Sequence, residues 1–381
     1  MKKVLFITLL LFAFAACNKQ QKQKINDSNK SLPILNLAGN IDKNIPDTFT
    51  WNSLQKKVTF IPLETTEATL LGNSSVRYVD DGVILISDSK TDNILLFNND
   101  GSCISHFNHK GNGPGEYFNV SGLYYNPSDS TVHVYDSQYR NWITYNSKGV
   151  LISSISTKKM FNGVVTYCNG NRIITRNLSG KSRLSLFDKD FHLIKAVFPL
   201  DSTQSHQEQW PINCFSNTSW TKDIMLYTNT VETDTVWAFS DTAVCPLFIV
   251  DKGKYVIPDA ERSDYFKAFL NLNPTYPKEF HFDAFSNQVL MKYLYKGLEV
   301  AELWDLSSGK IISRHSLRNV VTKEVFSDGF AYTLPSRHVI HMLPAYVTKH
   351  KLVFQLSPED LMDDIPGLKE DDNPVLMILE I

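Results

Sequence analysis

The chain has 381 residues, 38 Lys and Arg against 40 Asp and Glu, a net charge of -2 and 43% hydrophobic residues. That balance offers no basic surface for nucleic acid, while the apolar content is enough to fill a large core. After the N-terminal run no stretch of about 18 apolar residues occurs, so nothing else in the sequence reads as a spanning helix.

The first elements are targeting signals. Lys2 and Lys3 form a charged head, Val4 to Phe14 an apolar run, and Ala15-Ala16 a small-residue approach to Cys17. This is the pattern of a secretion signal over residues 1–16. A cysteine directly after Ala-Ala resembles the lipobox of bacterial lipoproteins, in which Cys17 is acylated and becomes the new N-terminus. Phe14 stands where that motif usually has leucine, and the plain alternative is an ordinary signal peptide with a chance cysteine. Residues 17–50 begin NKQQKQKINDSNKS after the cysteine and are expected to form a flexible tether. Residues 51–381 are expected to form a single domain. Cys103, Cys168, Cys214 and Cys245 lie far apart, and their spacing demands neither disulfides nor a zinc site.

From Val58 onward the chain favours short strands. GVILISDS (Gly82 to Ser89), NILLFNNDG (Asn93 to Gly101), TVHVYDS (Thr131 to Ser137) and NWITYNSKG (Asn141 to Gly149) are β-branched and aromatic runs closed by turn formers. They are two copies of one unit. Ile86 aligns with Val134, Phe97 with Tyr145, Gly101 with Gly149 and Ile104 with Ile152, always at an offset of 48. Weaker copies run from Arg172 to Phe198, from Asp223 to Ser240 and from Val289 to Leu317. A sixth is expected to include Gly329 to Ala345 and to end at Lys351 to Gln355. An all-strand period of this length predicts an all-β, six-bladed β-propeller. The isolated strand Lys56 to Thr65, which precedes the first full repeat, is expected to close the last blade and so remove an open edge.

Positions 108–118 read NHKGNGPGEYF. Glycines at 111, 113 and 115 invite a phosphate-loop reading, but no helical pattern follows and Pro114 removes a backbone donor. The stretch is expected to be a blade-to-blade crossover that presents Glu116 and Tyr117 at one rim.

FIPLET (Phe60 to Thr65), KGNGPGEY (Lys110 to Tyr117) and KEDDNPVLMILEI (Lys369 to Ile381) together resemble the six-bladed β-propeller lipoproteins of Bacteroides and relatives, a group with an NHL-like propeller. The resemblance implies the fold and no reaction. In that setting Lys19, Lys22 and Lys24, standing where surface lipoproteins often carry acidic residues, point to an outer-membrane protein facing the periplasm, with surface exposure as the alternative.

Weak ligand-binding candidates follow from residue type. Arg140, Asn141 and Trp142 are expected between two strands of the second repeat with Tyr139 and Trp142 lining a rim, Glu116 and Tyr117 near them in the glycine loop, and Arg77, Arg172 and Arg176 in neighbouring loops. Rings with arginines and carboxylates suit sugar or peptide recognition, although ordinary blade packing uses the same types. Asp88 and Asp136, matching positions of two repeats, are expected to be turn-forming and structural. The pairs His106/His109 and His338/His341 are three apart, so on strands their side chains diverge and make poor metal sites. The acids Glu370, Asp371 and Asp372 read as a solvated turn. No cofactor is expected, with calcium or another divalent metal as a remote alternative. The 251–285 stretch is expected to be an insertion with a short helix from Glu261 to Leu270, capping the channel in part. No acid pair or nucleophile set stands out. The expected function is therefore a scaffold binding a glycan, a peptide or an outer-membrane protein partner. The alternatives are a lyase or glycoside-cleaving enzyme with its site in the channel, or a purely structural part of an assembly.

Overall fold

The computed structural model describes residues 31–80, 82–169, 172–177, 181–199, 216–220, 225–229, 234–239, 243–256 and 275–381. Six antiparallel sheets form the blades of a propeller. Blade 1 comprises Ser74–Asp80, Val83–Asp88, Asn93–Asn98 and Cys103–Phe107. Blade 2 comprises Gly122–Asn126, Thr131–Asp136, Asn141–Asn146 and Leu151–Ser156. Blade 3 comprises Gly163–Cys168, Arg172–Asn177, Ser182–Asp188 and Leu193–Pro199. Blade 4 comprises Ser216–Trp220, Met225–Asn229, Thr235–Phe239 and Val244–Asp251. Blade 5 comprises Lys278–Phe285, Gln288–Tyr295, Leu298–Asp305 and Lys310–Asn319. Blade 6 comprises Tyr346–Val347, Lys351–Leu356, Val375–Glu380 and the N-terminal strand Lys57–Pro62. The first strands of blades 1 and 2, 2 and 3, 4 and 5, 5 and 6, and 6 and 1 touch, which places them around the axis.

Sequence pattern explains the layering. A middle strand has a neighbouring blade on each face, so it reads as a continuous apolar run rather than an alternating one. Ile84, Leu85, Ile86, Ile94, Leu95, Leu96 and Phe97 are all 0% exposed, and each such side chain contributes about 1.5–3 kcal/mol by leaving water. The core is accordingly divided into inter-blade layers, one for each adjacent pair around the ring. The layer between blades 6 and 1 joins Ile61, Val353 and Leu376 to Val76, Ile84 and Leu95.

The repeated aspartates are structural. Asp88 accepts backbone N–H groups of Gly72, Asn73 and Lys90, and Asp136 accepts those of Phe118, Gln138 and Tyr139. Each carboxylate thereby joins the turn after its own strand to the chain arriving from the preceding blade. Gly101 and Gly149 share a left-handed backbone, with φ of 88° and 77°. A Cβ at Gly101 would also stand 2.0 Å from the Pro62 carbonyl oxygen, so glycine lets the turn lie against the closing strand.

Closure occurs as the sequence predicts. Lys57–Pro62 pairs antiparallel with Val375–Glu380, from Lys57 opposite Glu380 to Pro62 opposite Val375. Asn373, 1% exposed, locks the join. Its Nδ2 donates to the carbonyls of Glu64 and Thr69 at 2.8 and 2.9 Å, and its Oδ1 accepts the N–H of Leu71 at 2.8 Å. Its own N–H donates to Thr65 Oγ1 at 2.8 Å. The motifs at the two ends of the chain are thus one structural unit.

Several boundaries differ from expectation. Residues up to 50 were expected to be tether, yet the folded body begins at Pro33. Ile34–Asn36 adds to the outer edge of blade 4 as a parallel strand opposite Ile249–Asp251, and Leu35, Leu37 and Ile41 enter the layer between blades 4 and 5. The Asp42 carboxylate accepts Lys296 Nζ, Tyr255 OH and Tyr295 OH, and these donors hold it down to about 2. Trp51, 0% exposed, donates its indole N–H to the Met342 carbonyl at 3.0 Å. Burial of Leu35, Leu37, Ile41, Phe49 and Trp51, with the tryptophan bond, outweighs the polar composition nearby. Gly329 to Ala345 supplies a separate hairpin, Phe330–Thr333 with Val339–Met342, rather than strands of blade 6. Within the expected 251–285 insertion, Lys278–Phe285 is the inner strand of blade 5. The expected helix at 261–270 lies outside the described residues.

Blade 5 also holds a buried charge. Glu302, 0% exposed, accepts Tyr293 OH at 2.7 Å, Trp304 Nε1 at 2.8 Å and Arg314 Nε at 2.7 Å. Burial pushes its carboxyl up; Arg314 and the hydrogen-bond donors oppose that shift. Arg314 spends its remaining donors on the carbonyls of Lys43 and Asn40, at 2.6 and 2.9 Å, and so fastens the N-terminal segment to the blade.

Candidate functional site

Inner strands of blades 1, 5 and 6 enclose a cleft of about 360 Å³, whose polar lining includes Ser74, Arg77, His281, Asp283, Lys292 and Gln355. Strand geometry brings them together. His281 and Asp283 are two apart on one strand and share a face, and Lys292 is the register partner of His281 on the next strand. His281 Nε2 lies 3.5 Å from Asp283 Oδ2. Burial pushes the Asp283 carboxyl up, but His281 and Lys292 pull it the other way and leave it below its ordinary value. Arg77 Nε donates to Ser87 Oγ at 2.9 Å and Gln355 Nε2 to Ser74 Oγ at 2.9 Å. Burial lowers Arg77 from its ordinary value, yet a guanidinium stays charged at neutral pH. A second cleft of about 180 Å³ shares His281 and Lys292 and is also lined by Glu279, Glu299 and Arg318.

Arg77 is the one sequence-named candidate in this lining, and it stands on an inner strand, not in a loop. Arg172 and Arg176 are likewise on a strand, the second of blade 3, opposite Asp188 and Leu184. Between them Ile173, Ile174 and Thr175 are all buried, the continuous run of a strand with a blade on each face. The glycine loop is the expected crossover, but Tyr117 is not at the rim. It is 1% exposed, and its hydroxyl donates to the Asp92 carbonyl and accepts the His109 N–H, at 3.2 and 3.1 Å. Its ring is needed in the layer between blades 1 and 2. Glu116 turns inward on its own loop and accepts the Gly113 N–H at 2.7 Å. Tyr139 is 36% exposed and donates to Asn112 Oδ1 at 2.9 Å. Arg140, φ 57°, occupies the turn position that Asp92, φ 59°, holds in blade 1. Trp142 is 3% exposed and stacks on His133 and Tyr124, with ring centroids 5.1 and 5.8 Å away. These residues knit blades together and are not gathered in the cleft.

His281, Asp283, Lys292 and Gln355 were not named from sequence. The signal was present in KEFHFDAF, where two polar residues at strand spacing interrupt an apolar run.

Asp188, Asp190 and His192 place ligand atoms within 4.8 Å of one another at the outer turn of blade 3, and could in principle chelate a divalent metal. His192 Nδ1 is already 3.0 Å from Asp188 Oδ2. Cys103 and Cys245 carry free thiols, while Cys214 lies outside the described residues. Burial and Glu64 push the Cys103 thiol up. Among the described residues no helix is long and apolar enough to cross a membrane.

His133 gives a pH prediction. Its ring contacts Thr131 and Thr144 hydroxyls at 3.2 and 3.0 Å, and burial lowers it to about 4. The unfolded chain, near 6.5, binds a proton more readily, so stability falls as pH drops from about 6.5 to 4 and is restored on raising it. The expected loss is roughly 2–3 kcal/mol over that window. Denaturation midpoints at pH 7 and pH 4.5 for the protein and His133→Gln will show it; an equal pH effect in both would refute the assignment.

The sheet count, the closing strand and the cleft define the class: a six-bladed β-propeller scaffold with a polar cleft at its axis. The family profile described as a domain of unknown function, DUF4934, matches residues 32–380, and the chain belongs to that family. A solved structure from Bacteroides fragilis NCTC 9343, described as a putative exported protein, is similar over 88% of this chain and 97% of its own, at 14% identity and a TM-score of 0.61. A DUF4221 family member from Bacteroides vulgatus is similar over 86% of this chain and 96% of its own, at 12% identity and a TM-score of 0.47. No curated protein matches the chain.

Proposed function

We propose that the protein is a lipid-anchored scaffold of the cell envelope that holds a glycan, a peptide or a partner protein at the channel cleft. The observation that carries this reading is the convergence of Arg77, His281, Asp283 and Lys292 from different blades on one open space. A buried core has no use for four ionisable groups around a void. The anchoring half rests on the lipobox-like Ala15-Ala16-Cys17, and the B. fragilis neighbour, described as a putative exported protein, supports export. Lys19, Lys22 and Lys24 favour the periplasmic side of the outer membrane. The NHL-like character suggested by the motifs belongs to this reading too.

Two measurements test it. Cys17→Ser is expected to move the protein from the membrane to the soluble fraction; retention at the membrane would remove the anchor. A pull-down from native envelope with a parallel glycan array is expected to yield a discrete ligand that Arg77→Ala loses. Capture unaffected by that change would remove the cleft from the reading.

One observation favours a second reading, a lyase or glycoside-cleaving enzyme with its site in the channel. The His281–Asp283 pair has the composition of a positioned general base, and Arg77 and Lys292 could steady developing negative charge. Release from a polysaccharide of an unsaturated sugar would establish the lyase, and of a saturated reducing sugar the glycoside hydrolase, provided that it is lost in His281→Ala.

A further inference from the structure

We infer that the channel cleft is built for an organic monocarboxylate carried on a hydroxylated ligand, a sugar acid being the simplest case. This rests on the proposed reading of the cleft as a binding site and narrows it to one chemistry. The starting point is charge. Arg77 is partly buried in the lining, its Nε is taken by the neutral Ser87 hydroxyl, and among the described residues no carboxylate pairs with it. Lys292 is a second cation in the same lining, and the one carboxylate there, Asp283, lies 3.5 Å from His281 Nε2. The fixed charges of Arg77, Lys292 and Asp283 therefore leave one positive charge in the lining. A guanidinium withdrawn from water is favourable only when an anion or several acceptors answer it. Its planar fork fits a carboxylate in two-point fashion, and an ammonium adds a point charge beside it.

Asp283 sets the limit on ligand charge. A phosphate dianion would meet that carboxylate inside a confined space, where like charges repel strongly, whereas a monoanion leaves the local sum near neutral. The remaining polar lining suits hydroxyls: Ser74 Oγ and the Gln355 amide, bonded to each other, keep further donor and acceptor capacity, and Asp283 retains acceptor capacity. A bare carboxylate such as acetate would leave these groups to water. The volume, about 360 Å³, is at the small end of the roughly 300–1,000 Å³ spanned by small-molecule sites, which suits one or two sugar rings.

Calorimetric titration of the full-length protein at pH 7 with D-glucuronate, D-glucose, acetate and inorganic phosphate tests the inference. Glucuronate is expected to bind at least ten-fold more tightly than each of the other three. Arg77→Ala is expected to weaken glucuronate ten- to a hundred-fold, and Arg77→Lys, which keeps the charge without the fork, to fall between. Equal binding of glucose and glucuronate would overturn the carboxylate assignment while leaving the cleft as a binding site. Tighter binding of phosphate or acetate would overturn it as well. If glucuronate fails to bind and the envelope pull-down is also unchanged by Arg77→Ala, the scaffold reading of the cleft falls with it. Should Arg77→Ala not fold, the comparison of the four probes on the unaltered protein still decides.

Discussion

Glu302→Ala is expected to destabilise the protein by about 3–5 kcal/mol, the usual result of breaking a buried ion pair by removing one partner. Three groups lose their acceptor at once: the Arg314 guanidinium, the Tyr293 hydroxyl and the Trp304 indole. The damage extends beyond blade 5, because Arg314 is also what holds the carbonyls of Asn40 and Lys43. Glu302→Gln keeps the volume and one acceptor and is expected to cost about half as much, since Arg314 then lacks a counter-charge. Guanidinium denaturation midpoints measure both. A loss below about 1 kcal/mol for the alanine variant would mean that water or a rearranged acceptor replaces the carboxylate. Replacing the pair together, Glu302→Met with Arg314→Leu, is expected to recover only the part of the loss due to the unpaired guanidinium, because the Tyr293 hydroxyl and the Trp304 indole still lack an acceptor.

The second large effect falls on ring closure. Asn373→Ala leaves the Leu71 N–H and the carbonyls of Glu64 and Thr69 without their partner. Each buried polar group so stranded costs about 1–3 kcal/mol where water cannot reach it. The expected loss is about 2–4 kcal/mol, allowing for partial relaxation of the surrounding turn. Asn373→Asp is a sharper probe. It preserves the acceptor for Leu71 but turns a donor into an anion facing two carbonyl oxygens, and it is expected to be at least as harmful. Hydrogen exchange should report the change first at Lys57–Pro62 and Val375–Glu380, the strands the asparagine holds in register. Unchanged protection there would separate Asn373 from closure.

How far the sequence could be read depends on where identical physical demands recur. Blades 1 and 2 were legible because Asp88 and Asp136 perform the same turn chemistry and Gly101 and Gly149 the same left-handed bend, 48 residues apart. The closing strand was legible because an isolated apolar strand before a repeat has few other uses. Blade 6 was obscured by brevity: its inner strand is only Tyr346–Val347, while the hairpin Phe330–Met342 imitates blade strands in composition. The Ile34–Asn36 strand was missed because three residues beside a polar tract give no periodicity. Its signal was the spacing of Leu35, Leu37 and Ile41, which the core confirms. For the cleft, Arg77 was singled out by type, but its company was not. A channel site is assembled from strands far apart in sequence, so Arg77 and His281 meet only once the ring closes. Tyr117 and Trp142 misled for the opposite reason: aromatic residues that suit ligand recognition serve blade packing equally well.

The segment from Ile34 to Pro62 crosses blade 4, then blade 5, before it completes blade 6. A tug delivered to the polypeptide at residue 33 therefore meets the three backbone pairs on blade 4 first, and the Arg314 and Asp42 attachments next. The seam that keeps the circle shut is last in line. Strain relief is built in ahead of the clasp, so a pull from the N-terminal side is spent on the outer edges of blades 4 and 5 before it reaches the closing strand.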